Sequence, residues 1–409
     1  MLLSRLLAVL GALALASCAS PPFERPHEYE QPPAAVRPAD GSAERAALNG
    51  RVHDAVVRYA QQLFYRRDAD RAGFAAAAAA LRPDSVAAVD EAALYAGIDR
   101  LLQTLDDAHT YALSPTARAR RAAQRHGRAD ANWGLATVKD GPRTVVAAVD
   151  PAGPAAAAGV LAGWQLDTVD GQPPASAPAP VAGRSAHLVF VDEDGGRHGL
   201  DLVARAMEPP PRRERRQLRD GIAYLRFDDF DHVSEAWLVP ELEALARTPP
   251  RALVLDLRRN GGGQWGVAAR IHARLNPPRE DLLVLHEGTA GHRILASTPR
   301  DPYTGPLAVL IGPGSASAAE LLAARLQETG RARLFGQRSH GAVVGTRGIN
   351  LPDGGLLRVG MWAITTAGGR SLDKVGVDPD VALAPDWDAV RAGRDPVLDA
   401  AVQALLSAP

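Results

Sequence analysis

Residues 307–320 read LAVLI-GPG-SASAAE, and this stretch decides the fold. Five apolar residues that end in Gly-Pro-Gly predict a buried strand leading into a sharp turn. The Ala/Leu-rich run that follows predicts a helix that begins at about Ser317 and stops at Gly330. A strand, a turn and a helix in this order place Ser315 or Ser317 at a helix N-terminus.

The two serines have two alternative roles. Free backbone N–H groups and the helix dipole favour developing negative charge, which a serine nucleophile requires for its oxyanion. Serine is also a preferred N-cap residue, and on this stretch alone a capping role is the more common one. The stretch therefore marks a candidate nucleophile without deciding its role.

Composition excludes some classes of function. The chain of 409 residues has room for about two or three domains, and its 46% hydrophobic content supports sizeable cores. A formal net charge of −1 gives no reason to expect nucleic acid as a partner. Lysine occurs only at Lys139 and Lys374. The sequence has no metal-ligand cluster and no cofactor fingerprint, so we expect neither a metal nor a cofactor.

The N-terminus has the pattern of a secretion signal. Arg5 precedes the apolar run 6–16, which is too short to span a bilayer. The run ends in Leu-Ala-Ser-Cys18, which resembles the bacterial lipobox and implies an acylated Cys18; with Ala19 next, it implies sorting to the outer membrane. An ordinary signal peptide with an incidental cysteine is the alternative. We expect a signal peptide at 1–18 and a proline-rich linker at 19–45, with the protein at the periplasmic face of the envelope.

Residues 46–125 are predicted to form an N-terminal helical segment. Apolar spacing indicates helices from about Leu48, after Phe74 and over 92–105. The last helix leads into Asp107-Ala-His109-Thr. A lone histidine just past a helix is usually a solvated or capping group, so the local pattern leaves the role of His109 open.

Residues 130–208 change to short strands separated by Gly/Pro turns, with a strand at 144–150 and a short alanine helix within 151–159. Gly153-Pro-Ala and Asp170-Gly resemble the PDZ domains of bacterial proteases, although Trp164 stands where those have aspartate. The resemblance implies that a C-terminal peptide binds by strand addition. The candidate carboxylate loop is Gly134-Leu135-Ala136. A small β-barrel without a ligand role is the alternative.

Residues 217–400 have the pattern of an α/β core. A strand at 221–227, a helix at 236–246 and a buried strand at 252–257 precede Arg258-Arg-Asn-Gly-Gly262-Gly, which leads into another helix. This turn lacks the Gly-Lys-Ser/Thr of a phosphate loop. Three glycines allow the backbone to approach a substrate carbonyl closely, but a plain turn is equally consistent.

Five motifs together resemble the C-terminal processing peptidases, also called tail-specific proteases. In the family's order they are Asp107-Ala-His-Thr, the PDZ-like segment, Asp256-Leu-Arg-Arg-Asn-Gly-Gly-Gly, Ser315-Ala-Ser-Ala-Ala-Glu and Gly376-Val-Asp-Pro-Asp. The resemblance implies an α/β fold with a crotonase-like core and an inserted PDZ-like domain. It also implies a serine-type endopeptidase with polypeptide substrates. Ser317 would be the nucleophile, and the backbone N–H groups of Gly262 and Ala318 would form the oxyanion hole.

One position departs from the main branch of this family. That branch activates its serine with a lysine, and Ala342 stands at the matching place. A second branch, similar to the tricorn core protease, uses a histidine and an acid, which His109 and Asp373 match. This branch is the closer one, and His340 is the alternative base.

Without any base, the chain would be a non-catalytic peptide-binding or scaffold protein on the same fold. The leading expectation is instead a lipid-anchored periplasmic peptidase. Its expected partners are polypeptides, the membrane through the anchor, and an adaptor lipoprotein that the sequence does not identify.

Overall fold

A computed structural model describes residues 34–66, 71–125, 130–174, 176–208, 210–276, 281–287, 290–294 and 301–407. The predicted signal peptide, Cys18 and residues 19–33 of the predicted linker lie outside the described residues. Among the helices described, none combines the length and the apolar character that crossing a membrane requires.

The N-terminal part is mainly helical, as predicted. It contains α1 (Ala43–Leu63), α2 (Arg71–Ala87), α3 (Glu91–Gln103), the short strand β1 (Tyr111–Leu113) and α4 (Pro115–Arg125). Helix α1 begins inside the region predicted as linker, because the Ser42 side chain caps it by accepting the N–H of Arg45. Arg45 in turn donates to the Pro38 carbonyl at 2.9 Å, which ties the preceding segment to the helix.

Residues 130–208 form an antiparallel β body. A five-stranded sheet has the sequential order β3 (Leu135–Asp140), β4 (Arg143–Val149), β5 (Gln165–Val169), β6 (Ser185–Val191) and β7 (Arg197–Val203). The flanking strands β2 (Asp130–Asn132) and β8 (Arg205–Met207) pair with each other, and α5 (Pro154–Ala157) lies between β4 and β5. Strand β3 is therefore an edge of the five-stranded sheet.

The C-terminal part is an α/β layer structure. Its six-stranded sheet has the spatial order β18 (Val381–Ala382), β15 (Arg333–Gly336), β14 (Leu307–Ile311), β11 (Ala252–Asp256), β10 (Ile222–Phe227) and β9 (Arg213–Gln217), and only β9 is antiparallel to its neighbour. The helices of this part are α6 (His232–Arg247), α7 (Trp265–Leu275), α8 (Ala318–Glu328), α9 (Trp387–Arg391) and α10 (Pro396–Ser407). Hydrophobic clusters cover both faces of the sheet, with α6, α7 and α8 in one and α10 in the other. The continuous apolar run of β14 follows from burial on both faces.

A second sheet, which the sequence pattern did not predict, connects the N-terminal part to the α/β layers. Its central strand is β17 (Leu356–Thr366), which pairs on one side with β16 (Val344–Asn350) and on the other with β1 and β12 (Leu283–Glu287); β12 also pairs with β13 (Ala290–Ile294). Because β1 joins β17, the loop that precedes β1 is brought beside the segment that precedes β16. That loop carries His109, and the segment before β16 carries Ala342.

The β body contacts the C-terminal part through α9. Arg391 donates to the Ala162 carbonyl and to Glu193, both at 2.8 Å. Gly163 lies so close to Trp387 that a Cβ added at this glycine would be 2.7 Å from the indole. The predicted limits of the domains remain predictions.

Candidate active site

Ser317 stands in the turn between β14 and α8, at the N-cap position of α8. Its backbone has φ 56° and ψ −116°, a left-handed conformation that costs energy in a residue other than glycine. The neighbouring Ser315 is fully buried; its hydroxyl donates to the Leu257 carbonyl at 2.8 Å and accepts the N–H of Gly312 at 3.1 Å. Ser315 therefore holds the turn together, and Ser317 is left as the candidate nucleophile.

The buried carboxylate of Glu320 joins this turn to the segment 339–342. Oε2 accepts the backbone N–H groups of Ser317 at 2.8 Å and of Ala342 at 2.9 Å. Oε1 accepts the Gly341 N–H at 2.7 Å and the Ser339 hydroxyl at 2.6 Å. The sequence motif contains Glu320, but the sequence reasoning gave it no role. Its place three residues after an N-cap serine, the spacing of a capping box, was the available signal.

Gly262 lies directly against Ser317. A Cβ at this glycine, whose φ is 93°, would be 2.7 Å from both the Ala316 carbonyl oxygen and Ser317 Cβ. The Gly262 N–H itself donates to Asn260 Oδ1 at 2.9 Å. Within the described residues, the N–H of Gly263 has no hydrogen-bond acceptor. Ala318 opens α8, where the first N–H groups have no acceptor within the helix.

His109 lies in the loop between α3 and β1, and its side chain is 16% exposed. Its Nδ1 atom is 3.5 Å from Asp107 Oδ1, and the imidazole lies beside the backbone of Ala342. Burial alone would lower the pKa of His109, but Asp107, the Ala342 backbone and the charge of Asp373 together raise this pKa above its ordinary value. The loop thus brings the imidazole of His109 beside the backbone of Ala342.

Asp373 lies close to the same imidazole but is bound by another group. Its Oδ2 accepts the Tyr65 hydroxyl at 3.3 Å. Next to it, Lys374 forms an ion pair with Asp106 and donates its backbone N–H to the Gly341 carbonyl at 2.7 Å. Across the described parts of the chain, no hydrogen bond joins Asp373 to His109.

The alternative base, His340, is held near the turn by its backbone alone. Its N–H donates to the Ser315 carbonyl at 2.9 Å, and its side chain is exposed. In the part of the chain that the structure describes, neither His340 nor His109 forms a hydrogen bond with the Ser317 hydroxyl. Of the two imidazoles, that of His109 is the less exposed, and it is the one that lies within 3.5 Å of a carboxylate, that of Asp107.

The candidate peptide-binding loop lies at the start of β3. Gly134, with φ 78°, donates its N–H to Asn132 Oδ1 at 2.7 Å and accepts the Asp150 N–H at 2.8 Å. Leu135 and Ala136 are the first residues of β3 and pair with β4.

The described residues contain no group of three or more His, Cys, Asp or Glu side chains that could hold a metal ion.

Known proteins match both the sequence and the fold. The family model of peptidase family S41 matches residues 221–383. The chain is 30% identical over 328 residues to the chloroplastic C-terminal processing peptidase of Tetradesmus obliquus, covering 71% of this chain and 68% of that protein. It is 28% identical over 280 residues to tricorn protease homolog 1 of Streptomyces coelicolor, covering 63% of this chain and 25% of that protein. A solved structure of a photosystem II D1 C-terminal processing protease has a TM-score of 0.60 and 25% identity, with 83% of this chain and 94% of that chain covered.

These matches define a serine-type peptidase that acts on peptide bonds, with a mixed α/β fold. The chain belongs to peptidase family S41, among the C-terminal processing peptidases. The family and the class of enzyme inferred from the motifs are thereby confirmed. The assignment to the tricorn-like branch and the roles of the individual residues remain predictions.

Proposed function

We propose that this chain is a peptidase in which Ser317 is the nucleophile and His109 the general base. The observation that carries the proposal is the placement of the largely buried His109 imidazole, 3.5 Å from the Asp107 carboxylate and beside the backbone of Ala342. A serine hydroxyl is a weak nucleophile without a base, and Ala342 removes the lysine of the main branch. His109, which comes from a distant segment and lies beside the Ala342 backbone, is the residue that we propose for this role.

The reaction follows from this arrangement. Ser317 Oγ forms a bond to the carbonyl carbon of the scissile peptide, its proton passes to His109, and the carbonyl π electrons move to oxygen. The C–N bond then breaks, and the imidazolium returns the proton to the leaving amine. Water repeats both steps on the acyl-enzyme and regenerates the Ser317 hydroxyl. Hydrogen bonds to a nucleophile often tighten only in the substrate complex, so we expect the bond between Ser317 and His109 to form there.

The oxyanion would be stabilised at the start of α8. Ala318 supplies one N–H, aligned with the positive end of the helix dipole. Gly262, the predicted second donor, can serve only after its N–H leaves Asn260 Oδ1. Gly263 is the next donor along the same turn and needs no such exchange.

Labelling with a fluorophosphonate serine probe tests this assignment. We expect the wild type to be labelled and Ser317→Ala not to be labelled. His109→Ala should slow labelling by several orders of magnitude, whereas His340→Ala should react like the wild type. Labelling that depends on His340 and not on His109 would move the base to His340. A folded wild type that is never labelled would instead be a peptide-binding protein on this fold.

We further propose that residues 130–208 are a PDZ-like module inserted in a crotonase-like peptidase. Strand β3 is a sheet edge that begins at the loop Gly134-Leu135-Ala136, as strand addition of a C-terminal peptide requires. Removal of residues 133–205 should weaken cleavage of long substrates more than of short peptides, because the module would supply binding remote from the scissile bond. Equal losses for both substrate lengths would indicate a structural role.

The location is a separate proposal, supported by sequence alone. Acylation of Cys18 would anchor the protein to the periplasmic face of the outer membrane, because Leu15-Ala-Ser-Cys18 resembles a lipobox and Ala19 follows it. Cys18→Ala should release the protein from the membrane fraction. Retention of that variant in the membrane fraction would contradict the acyl anchor.

A further inference from the structure

We propose that Asp107, and not Asp373, is the carboxylate that orients His109. This inference deepens the proposed function and rests on the role given there to His109. Asp107 Oδ1 is 3.5 Å from His109 Nδ1 and accepts the backbone N–H of His109 at 3.3 Å. In the described structure, Nδ1 is buried and has no hydrogen-bond partner, and the Asp107 carboxylate is the acid within ion-pair distance of it. One carboxylate oxygen thus accepts the backbone N–H of the histidine and lies against its ring.

The Asp107 carboxylate is itself fixed in place. Its side chain is 3% exposed, and Oδ2 accepts the Thr110 hydroxyl at 2.5 Å. The Thr110 oxygen accepts the N–H of Gly360 in β17 at 3.0 Å, which attaches the loop to the second sheet. A Cβ at Gly360 would lie 2.8 Å from Asp107 Oδ2, so the strand leaves room for the carboxylate only because this residue is glycine. Such support keeps an orienting group in one geometry.

Asp373 lacks these properties. Its bond is to the hydroxyl of Tyr65, and it acts on His109 only through its charge. Among the described residues, the charged and titratable groups on this side of the molecule come from three segments. They are Asp106 and Asp107 from the loop of His109, Tyr65 and Arg66 from the segment just after α1, and Asp373 and Lys374 from the loop before β18. Asp106 is bound to Lys374, and Arg66 donates to the carbonyls of Leu105 and Asp106. Asp107 is therefore the carboxylate closest to Nδ1.

The charge of Asp107 suits this role. Burial alone would raise the pKa of Asp107, but the hydrogen bonds from His109 and Thr110 lower it below its usual range. An ionised Asp107 favours a proton on Nδ1 and leaves the opposite ring nitrogen to receive the proton of Ser317. The imidazolium that forms can then keep its Nδ1 proton towards Asp107 while the opposite nitrogen returns its proton to the leaving amine.

An NMR titration of the His109 ring tests the proposal in the full chain. We expect Asp107→Asn, which has nearly the same shape, to lower the pKa of His109 by about one pH unit or more. Asp373→Asn should lower it less, because only a charge at a distance is lost. Asp106→Asn is the matched control from the same loop and should change this pKa least. In the peptidase assay, Asp107→Asn should also move the acidic limb of kcat/KM to lower pH and cost more turnover than Asp373→Asn.

Two outcomes would overturn the proposal: a larger fall in the pKa of His109 with Asp373→Asn than with Asp107→Asn, or no fall with Asp107→Asn. If Asp107→Asn does not fold, Thr110→Val releases the carboxylate without removing its charge and should lower the pKa by a smaller amount. An unchanged pKa in that variant would then count against Asp107. The titration needs no turnover, so its result is separate from the labelling experiment. If Asp107→Asn lowers the pKa of His109 but Ser317 is never labelled, the orienting role of Asp107 stands. Only the proposed activity is then refuted.

Discussion

Ser317 and Ala342 donate their backbone N–H groups to the same oxygen of Glu320, at 2.8 and 2.9 Å. The candidate nucleophile and Ala342, the residue predicted to match the lysine of the main branch, are thus held by one buried carboxylate. The imidazole of His109 lies beside the backbone of Ala342, which helps to raise its pKa. The position of the proposed base relative to the nucleophile therefore depends on Glu320, a side chain that takes no direct part in the proposed reaction.

Glu320→Gln should damage both stability and activity. The glutamine NH₂ group would face N–H donors that the carboxylate now accepts, and buried groups would lose their partners. We expect the free energy of unfolding to fall by about 3 kcal/mol and kcat/KM to fall by several orders of magnitude. Denaturant unfolding and a short-peptide assay measure these effects. Glu243→Gln is the control, because that side chain is half-exposed. If Glu320→Gln were as stable and as active as the wild type, the proposed role of the Glu320 carboxylate would be refuted.

Two adjacent glycines provide a matched test of the oxyanion turn. An alanine at Gly262 would place its Cβ 2.7 Å from Ser317 Cβ, at a φ of 93°, whereas a Cβ at Gly261 has no heavy atom within 4 Å. We expect Gly262→Ala to displace the serine and lower kcat by about 100-fold or more, and Gly261→Ala to retain most activity. Steady-state kinetics with one short peptide compare the two. Equal activities would show that the serine does not depend on this close approach.

Local patterns were sufficient to predict the elements around the nucleophile. The apolar run 307–311 forms β14 with those bounds, and α8 covers Ala318–Glu328 as the Ala/Leu pattern indicated. Strand β14 is buried along its whole length and α8 is buried from Ala318 to Leu326, so their apolar pattern is nearly continuous. The second sheet was missed because β17 pairs with β1, β12 and β16, which lie far apart in sequence or across a turn. The pairings of β17 with β1 and β12 join segments far apart in sequence, and no local sequence pattern predicts them.

In the candidate site, too, local sequence patterns do not show which side chains contact each other. The family motif indicated His109, but it matched Asp373 as the acid, because the spacing of a motif does not show which carboxylate faces a ring. That contact depends on the loop between α3 and β1, where Asp106 has a φ of 49° and turns the chain back. Only the folded loop places Asp107 beside Nδ1.

The pH dependence of kcat/KM should show an acidic limb above the ordinary pKa of histidine. His109 must be neutral to accept the proton of Ser317, and its surroundings raise its pKa. Activity is therefore expected to disappear as the pH falls through a value above about 6.5 and to be constant at higher pH. Initial rates with a short peptide across this range measure the limb. A limb well below about 6.5 would mean that His109 is not the group titrating.

His272 should make the fold sensitive to acid independently of the active site. Its side chain in α7 is 1% exposed, and burial, assisted by the charge of Arg325, lowers its pKa to about 4. The unfolded chain binds a proton at this residue below about 6.5, whereas the folded chain does so only near 4. Because the unfolded state binds more protons in that interval, the free energy of unfolding falls as the pH drops through it. The contribution of this residue should reach about 3 kcal/mol at the acidic end.

His272→Gln removes that titration, so its unfolding free energy should fall less steeply between about pH 7 and about pH 4.5 than that of the wild type. Near pH 7 the variant is expected to be less stable than the wild type, because a longer side chain replaces a packed ring. The two stability curves should therefore converge towards acid. Denaturant unfolding at a series of pH values gives both curves. Parallel curves would show that His272 does not remain neutral in the folded protein.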